Sequence, residues 1–362
     1  MYIHSLNITN FRNFRQLSTD FAEGVNIFYG SNGSGKTNLL EAIFVLCLGR
    51  SHRSAVESVL VNSEADFYRI TGEIHLGDKQ IDLAVAYQKN GRKRATFDEV
   101  PIKLSELYDT FCVVAAGPED SEIISGAPAT RRLFIDLYLS QYSQRYIDLL
   151  NDYHRALAQK NAALKREMDP APFNSLLVEH GARIIKQRFE FLSAVEREAM
   201  TYYERISGGS NLSLEYRTSG RPPDGDFALE KIAGQITAAL SRHAERERVL
   251  KSSLVGPHRD DIIFHIDELP ARSHGSQGEW RTAALSLKLA VYHLLKDKRE
   301  IQPVLLLDEI FAELDRNRSE ALIEAFTDFH QLFLTTALEP PDFLKNNSRA
   351  FLIQNGEVAS RE

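Results

Sequence analysis

Eight consecutive residues constrain this chain more than any other stretch. Gly30-Ser31-Asn32-Gly33-Ser34-Gly35-Lys36-Thr37 is a complete G-x-x-x-x-G-K-T. It stands between a β-forming run containing Val25, Ile27 and Phe28 and a helical stripe of Leu39, Leu40, Ile43, Phe44, Leu46 and Cys47 that Gly49 closes. In that order of strand, glycine loop and helix, backbone N–H groups and a helix dipole can wrap a phosphate. Lys36 then reaches the β and γ oxygens of ATP, and Thr37 holds Mg²⁺. The candidate binding segment is Gly30, Ser31, Asn32, Gly33, Ser34, Gly35, Lys36, Thr37 and Asn38.

The matching acidic element is Val304-Leu305-Leu306-Leu307-Asp308-Glu309, an apolar strand ending in two carboxylates. Asp308 is the expected partner of Thr37 in the metal shell. Glu309 is expected to polarise the attacking water, so Lys36, Asp308 and Glu309 form the candidate catalytic set. A second acidic stretch, Phe311-Ala312-Glu313-Leu314-Asp315, follows. Ser276-Gln277-Gly278-Glu279 opens a helix, and two readings stand open for it. Ser276 is either an N-cap or, with Gly278 and Glu279, a donor set for a phosphate.

The rest of the chain divides by pattern. Residues 2–9 and 24–30 read as strands, and 67–116 as antiparallel sheet with turns at Gly77-Asp78 and Asn90-Gly91. From about 128 to 250 glycine and proline thin out. Long charged helices over 131–166, 173–206 and 227–250 are expected there, with a possible strand at 212–216. Sheet pattern returns after Gly256-Pro257, with a helix over about 277–295, a strand at 304–307, another helix, and strands at 332–336 and 350–353. The expected division is an ATPase lobe in two parts, 1–127 and 251–362, around a helical lobe, 128–250.

Composition narrows the partners. Lys+Arg 43 against Asp+Glu 50 gives a net charge of −7, which excludes an overall basic coat and confines any DNA-binding face to a patch. Lys89, Arg92, Lys93 and Arg94 form the most basic hairpin tip, read either as a solvated turn or as contacts to DNA phosphates. Arg131 and Arg132 start a helix where acids such as Asp136 can pair with them, and a Gly-Pro turn presents His258 and Arg259. The two cysteines, Cys47 and Cys112, lie in apolar runs and are expected to be buried thiols in a reducing compartment. No apolar run approaches the ~20 residues of a membrane span, and the start lacks a signal-peptide pattern, so a cytoplasmic, untargeted protein is expected.

A resemblance adds to this reading. Leu6-Asn7-Ile8-Thr9-Asn10-Phe11-Arg12-Asn13-Phe14 resembles the opening of RecF and SMC-type ATPase heads, and Ser51-His52-Arg53-Ser54 is similar to the SHRT segment of the RecF family. Pro118-Glu119-Asp120 with Gly126-Ala127-Pro128 and Arg131-Arg132-Leu133-Phe134-Ile135-Asp136 resembles one RecF signature. The Leu306–Asp315 run resembles the other, and Gly256-Pro257-His258-Arg259-Asp260-Asp261 is a further RecF-like hexapeptide. The resemblance implies an α/β fold: an ABC/SMC-head-like P-loop ATPase domain with an inserted, mainly helical second lobe. It implies an ATP-dependent homodimer in which Ser276 and Gly278 meet the γ-phosphate held by the other subunit, and in which Arg53 adds positive charge near the phosphates. Thr335 and Thr336 stand where transporter ATPases carry a switch histidine.

The implied function is DNA repair, recombination and replication, with a place in the SOS response. It comprises binding of duplex DNA and gapped single-strand/double-strand junctions, slow ATP hydrolysis, and cooperation with RecR and RecO to load RecA, with no membrane partner. The alternatives are an ABC-type ATPase subunit, an SMC-like structural ATPase, and a P-loop nuclease of the overcoming-lysogenization type. The long helical insertion opposes the first, its shortness as a coiled-coil arm the second, and the lack of a recognisable acidic metal domain the third.

Overall fold

A computed structural model describes residues 1–222, 225–310, 329–337, 348–354 and 356–361. These fall into two compact units, 1–120 with 291–362, and 121–290. The chain opens with β1 (Tyr2–Ile3), β2 (Ser5–Phe11), β3 (Phe14–Asp20) and β4 (Val25–Tyr29), then α1 (Lys36–Leu48). Next come β5 (Phe67–Leu76), β6 (Lys79–Gln88), β7 (Arg94–Phe97), β8 (Val100–Ile102), α2 (Leu104–Thr110) and β9 (Val113–Ala116). An antiparallel sheet runs β3-β2-β5-β6-β7-β8, with β1 on β5.

Two elements of the first unit depart from the sequence reading. The strand β3 had no expected counterpart; it turns back on β2 through Arg12 at φ 53°, burying Phe14 and Leu17 and leaving its polar residues outward. The stretch 67–116 is not all antiparallel sheet. It ends in helix α2 and in β9, which pairs in parallel with the strand Val304–Leu307. The physical signal was the unbroken apolar run Val113-Val114-Ala115-Ala116, the pattern of a strand covered on both faces, where a half-exposed strand would alternate.

The second unit holds α3 (Glu122–Ser125), α4 (Pro128–Tyr142), α5 (Tyr146–Lys165), α6 (Asn174–Ser207), β10 (Leu212–Arg217), α7 (Leu229–Leu250), β11 (Asp261–Ile266), β12 (Leu269–Pro270) and α8 (Ala271–His274). Pro128 occupies the first turn of α4, where its missing N–H costs nothing. The expected continuous helix over 131–166 is two helices, broken at Ser143–Arg145, where Arg145 takes φ 70°. Strand β10 pairs antiparallel with β11, which brings residues beyond 250 into this unit. Arg131 on α4 binds Asp261 at 2.6 Å, and Arg188 on α6 binds Asp260 at 2.9 Å. These bonds explain why 251–290, grouped by sequence with the ATPase lobe, cluster with the helices.

Helix α9 (Gln277–Arg299) leads to β13 (Val304–Leu307), β14 (Gln331–Thr336), β15 (Ser348–Gln354) and β16 (Glu357–Arg361). With β4 and β9 these form a sheet ordered β16-β15-β4-β14-β13-β9, parallel except for the β15–β16 pair. The Phe311–Asp315 stretch and the helix expected between β13 and β14 lie outside the described residues.

Helix α1 touches strands of both sheets of the first unit, so it is buried nearly all round rather than along one stripe. Phe21, Phe28, Phe333 and Phe351 pack ring against ring across β4, β14 and β15. Buried Gln331 joins the sheets: its side chain accepts from the Ile3 N–H at 2.8 Å and donates to the carbonyls of Ile3 at 2.9 Å and Ala22 at 3.0 Å. Cys47 and Cys112 are free and buried. No described helix is long and apolar enough to cross a membrane.

Candidate nucleotide-binding site

Parallel strands β4, β14 and β13 end side by side, and the loops leaving their carboxyl ends carry the chemistry. Glycine is needed at two places in the loop after β4. At Gly30, φ 147°, a Cβ would lie 2.4 Å from the Ile353 carbonyl oxygen; at Gly35, φ 116°, it would lie 2.6 Å from the Asn13 amide nitrogen. The loop is held from outside, because Asn13 Nδ2 donates to the Ser34 carbonyl at 3.1 Å and Asn38 Nδ2 donates to Asn13 Oδ1 at 2.8 Å. Ser31, Asn32 and Gly33 are exposed. The Ser34 hydroxyl is buried with no partner among the described residues.

Lys36 is 3% exposed, and its ammonium donates to the carbonyls of Gly30 at 3.0 Å and Ser31 at 3.2 Å. It also lies 3.3 Å from Glu309 Oε1. Thr37 Oγ1 sits 2.9 and 2.8 Å from the two carboxylate oxygens of Asp308. Thr335, at the end of β14, donates its hydroxyl to Asp308 Oδ1 at 2.6 Å and accepts the Glu309 N–H at 2.9 Å. Burial pushes the Asp308 carboxyl above the usual carboxylate range, while the bonds from Thr335 and Thr37 pull it back. Glu309 takes φ 48°, a strained conformation for a non-glycine residue.

The expected loop residues, Asp308, Glu309 and Thr335 therefore come together. Thr335 was expected as a nucleotide contact; its hydroxyl here bonds Asp308 and the Glu309 N–H. Thr336 closes β14, half-buried and paired with Tyr29.

Sequence reading missed Glu41. This carboxylate is fully buried on α1 and accepts both guanidinium arms of Arg12, each at 2.8 Å, and the Ser51 hydroxyl at 2.5 Å. Ser51 Oγ in turn accepts the N–H groups of Arg53 and Ser54, both at 2.9 Å, and so shapes the Ser51–Ser54 turn. Arg53 is held loosely, 3.5 Å from Asn38, 3.7 Å from Glu41 and 3.5 Å from Glu119. The available signal was a single acid inside the apolar run Leu39-Leu40-Glu41-Ala42-Ile43.

Other candidates land differently. In the second unit, Ser276 forms a capping box: its N–H and hydroxyl donate to Glu279 Oε2, both at 2.7 Å, and Glu279 N–H returns to Ser276 Oγ at 3.3 Å. Gly278 lies in the first turn of α9, where its carbonyl accepts from Thr282 at 2.9 Å. At the basic tip, Lys93 turns inward to the Gly49 carbonyl and Glu57, and burial lowers its pKa. Of the two readings the sequence left open, the solvated turn does not hold for Lys93, because the neighbouring Glu57 supplies a partner inside. Lys89 donates to the Ala65 carbonyl at 2.6 Å, while Arg92 and Arg94 are exposed.

His258 and Asp260 are structural. Tyr153 donates to His258 Nδ1 at 2.6 Å, and the Nε2–H reaches the Ser253 carbonyl at 3.2 Å. Burial holds this neutral imidazole down to about 4.

A phosphate loop at the end of a parallel strand, with Asp308 and Glu309 on the next strand but one, defines a P-loop nucleotide-binding head of the SMC/ABC type. Residues 2–355 match the family described as RecF/RecN/SMC N terminal domain. Curated relatives include the DNA replication and repair protein RecF of Streptococcus suis, 36% identical with all of both chains covered, and that of Streptococcus thermophilus, 35% identical with the same coverage. Among solved structures, the recombination mediator protein RecF-ATP in the RecFOR pathway matches with a TM-score of 0.90 and 32% identity, covering 100% of this chain and 98% of the other. The RecF-ATPrS structure gives 0.89 and 31% with the same coverage. A Pyrococcus furiosus Smc head domain, at 0.56 and 16% with 100% and 96% covered, shares the fold. The chain belongs to the RecF family.

Proposed function

We propose that this chain is an ATP-binding DNA repair protein of the RecFOR type that uses slow, DNA-dependent ATP hydrolysis as a conformational switch. The observation that carries the reading is the cluster of Lys36, Thr37, Asp308, Glu309 and Thr335 around one phosphate loop. The relatives' names supply the repair context, and the solved RecF-ATP structure supports the nucleotide.

The site fits Mg²⁺, since Thr37 and Asp308 offer hard oxygen donors within 3 Å of each other. The ion, when bound, would neutralise charge on the β and γ oxygens. The protein's own groups do the rest. Lys36 exchanges two loop carbonyls and Glu309 for phosphate oxygens, and this exchange frees the Glu309 carboxylate to accept a proton from water. Thr335 keeps Asp308 and the Glu309 backbone in register throughout. Arg53, with three long contacts, has little to give up in swinging toward phosphate.

In the fuller reading, Ser276 and Gly278 meet the nucleotide of a second copy, giving an ATP-dependent homodimer in the cytoplasm. Arg92 and Arg94 contact phosphates of duplex and gapped DNA, RecR and RecO bind the assembly, and RecA is loaded. Glu309→Gln tests the core of this proposal. It should retain ATP affinity, lower turnover by about 100-fold, and accumulate ATP-bound dimer on gapped DNA in sedimentation. Wild-type turnover in this variant would defeat the assignment.

A further inference from the structure

The helical unit contains a cavity of about 540 Å³ between the end of α5, the start of α6 and the last turns of α7, within the range of small-molecule sites. Two buried ions line it. Lys160 is 1% exposed and lies 2.7 Å from Glu247, itself 3% exposed. Glu247 is well used, because its other oxygen accepts from the Leu254 N–H at 2.7 Å and the Ser253 hydroxyl at 3.1 Å. Lys160 is not. An ammonium carries three donors, one faces Glu247, and the described residues offer the others no hydrogen-bond acceptor. Asn174 Oδ1, on the same cavity wall, is likewise buried without a donor. Leu240 and Ala244 supply apolar wall.

We infer that this cavity is a binding site for an uncharged amide carrying a short apolar body. Lys160 Nζ and Asn174 Oδ1 sit just behind the cavity wall, so a ligand reaches them as the wall side chains shift: its carbonyl oxygen then accepts from Lys160, and its amide N–H donates to Asn174. Charge decides against an acid, although a lone lysine would attract one. The Lys160–Glu247 pair is neutral, so a carboxylate placed beside it would be a buried anion without its own counter-ion. The charged residues lining the cavity, Lys160, Arg248, Asp169, Glu179 and Glu247, sum to −1 and oppose an anion further. An amine fails for a related reason, since its ammonium would be a second buried cation beside Lys160 with only the neutral Asn174 oxygen to receive it.

The test is calorimetric titration of the full-length protein with ε-caprolactam, hexanoate and hexylamine. Caprolactam should bind saturably, and hexanoate and hexylamine about tenfold or more weakly. Ala244→Phe fills the cavity without touching the ion pair and should abolish caprolactam binding while ATP binding persists. A second variant, Lys160→Met with Glu247→Gln, removes both charges together and should erase the preference for amide over acid. N-acetylleucine methylamide distinguishes the source of the amide: tighter binding than caprolactam assigns it to a peptide, weaker binding to a free small molecule. Equal or tighter binding of hexanoate, unsaturable caprolactam heats, or caprolactam binding that survives Ala244→Phe would each overturn the inference.

Discussion

Two buried cations, one in each unit, show how differently a fold can use the same kind of charge. Arg188 is 1% exposed, and all its nitrogens are engaged: Asp136 takes Nη2 at 2.8 Å, the Pro257 carbonyl and Asp260 take Nη1 at 2.7 and 2.9 Å, and Nε reaches Tyr146 at 3.1 Å. Tyr146 and Tyr216 complete the network by donating to Asp136 and Asp260. Lys36 is nearly as buried but rests on two carbonyls and on Glu309 at 3.3 Å. A network with every donor placed is a scaffold, costly to disturb. A cation resting on its own loop's carbonyls and one distant acid can exchange those partners for a ligand.

That contrast is broken most directly at Arg188. Arg188→Met leaves buried Asp260 and half-buried Asp136 without their counter-ion and should cost about 3–5 kcal/mol of stability, read as a lowered denaturant midpoint. ATP affinity should be unaffected, and a variant as stable as wild type would show that the network is not a scaffold.

Lys36→Met should do the reverse. The fold has little invested in this ammonium, so the melting temperature should hold while ATP affinity falls about 100-fold, the worth of lost charge-assisted bonds to phosphate. Calorimetry on the folded variant checks it, and unchanged affinity would remove Lys36 from the site.

A pH series sharpens the scaffold side. His258 is neutral and its folded pKa is lowered from 6.5 to about 4, so its contribution to stability is present above pH 6.5 and lost as pH falls toward 4. His258→Gln lacks that titration. Between pH 7 and 4 the wild type should lose about 3 kcal/mol relative to the variant. Parallel stability curves for the two proteins would mean that the imidazole is not held neutral.

The smallest effect concerns the basic tip. Arg92→Ala with Arg94→Ala should lower the slope of log affinity for DNA against log salt by about 2 units, one per lost phosphate contact. Lys93→Ala should leave that slope alone and reduce stability, since Lys93 serves Glu57 and the Gly49 carbonyl. Equal slopes for all three proteins would move the DNA face elsewhere.

Local chemistry made much of this molecule legible in advance. A phosphate loop needs glycines with unusual dihedrals, a lysine and a threonine at fixed spacing, so residues 30–37 announced themselves. The apolar run into Asp308 did the same, because a strand covered on both faces cannot alternate. What stayed hidden was set by pairing across long sequence distances. Glu41 passed unnoticed in an apolar run because Arg12 and Ser51 close on it only in the fold, and Thr335 could be placed near the nucleotide but not seen to bridge Asp308 and the Glu309 backbone. Lys93 and Arg92, adjacent in a basic run, were indistinguishable until the hairpin turned one toward Glu57 and left the other in water. His258 and Arg188, separated by some 70 residues, became one scaffold only because Pro257 and Asp260 meet Arg188. Residue type and spacing determine which groups can bind a phosphate. Which charges are spent inside the protein and which remain for a ligand depends on partners that only the folded chain brings within 3 Å, where a buried charge must find compensation or be neutralised.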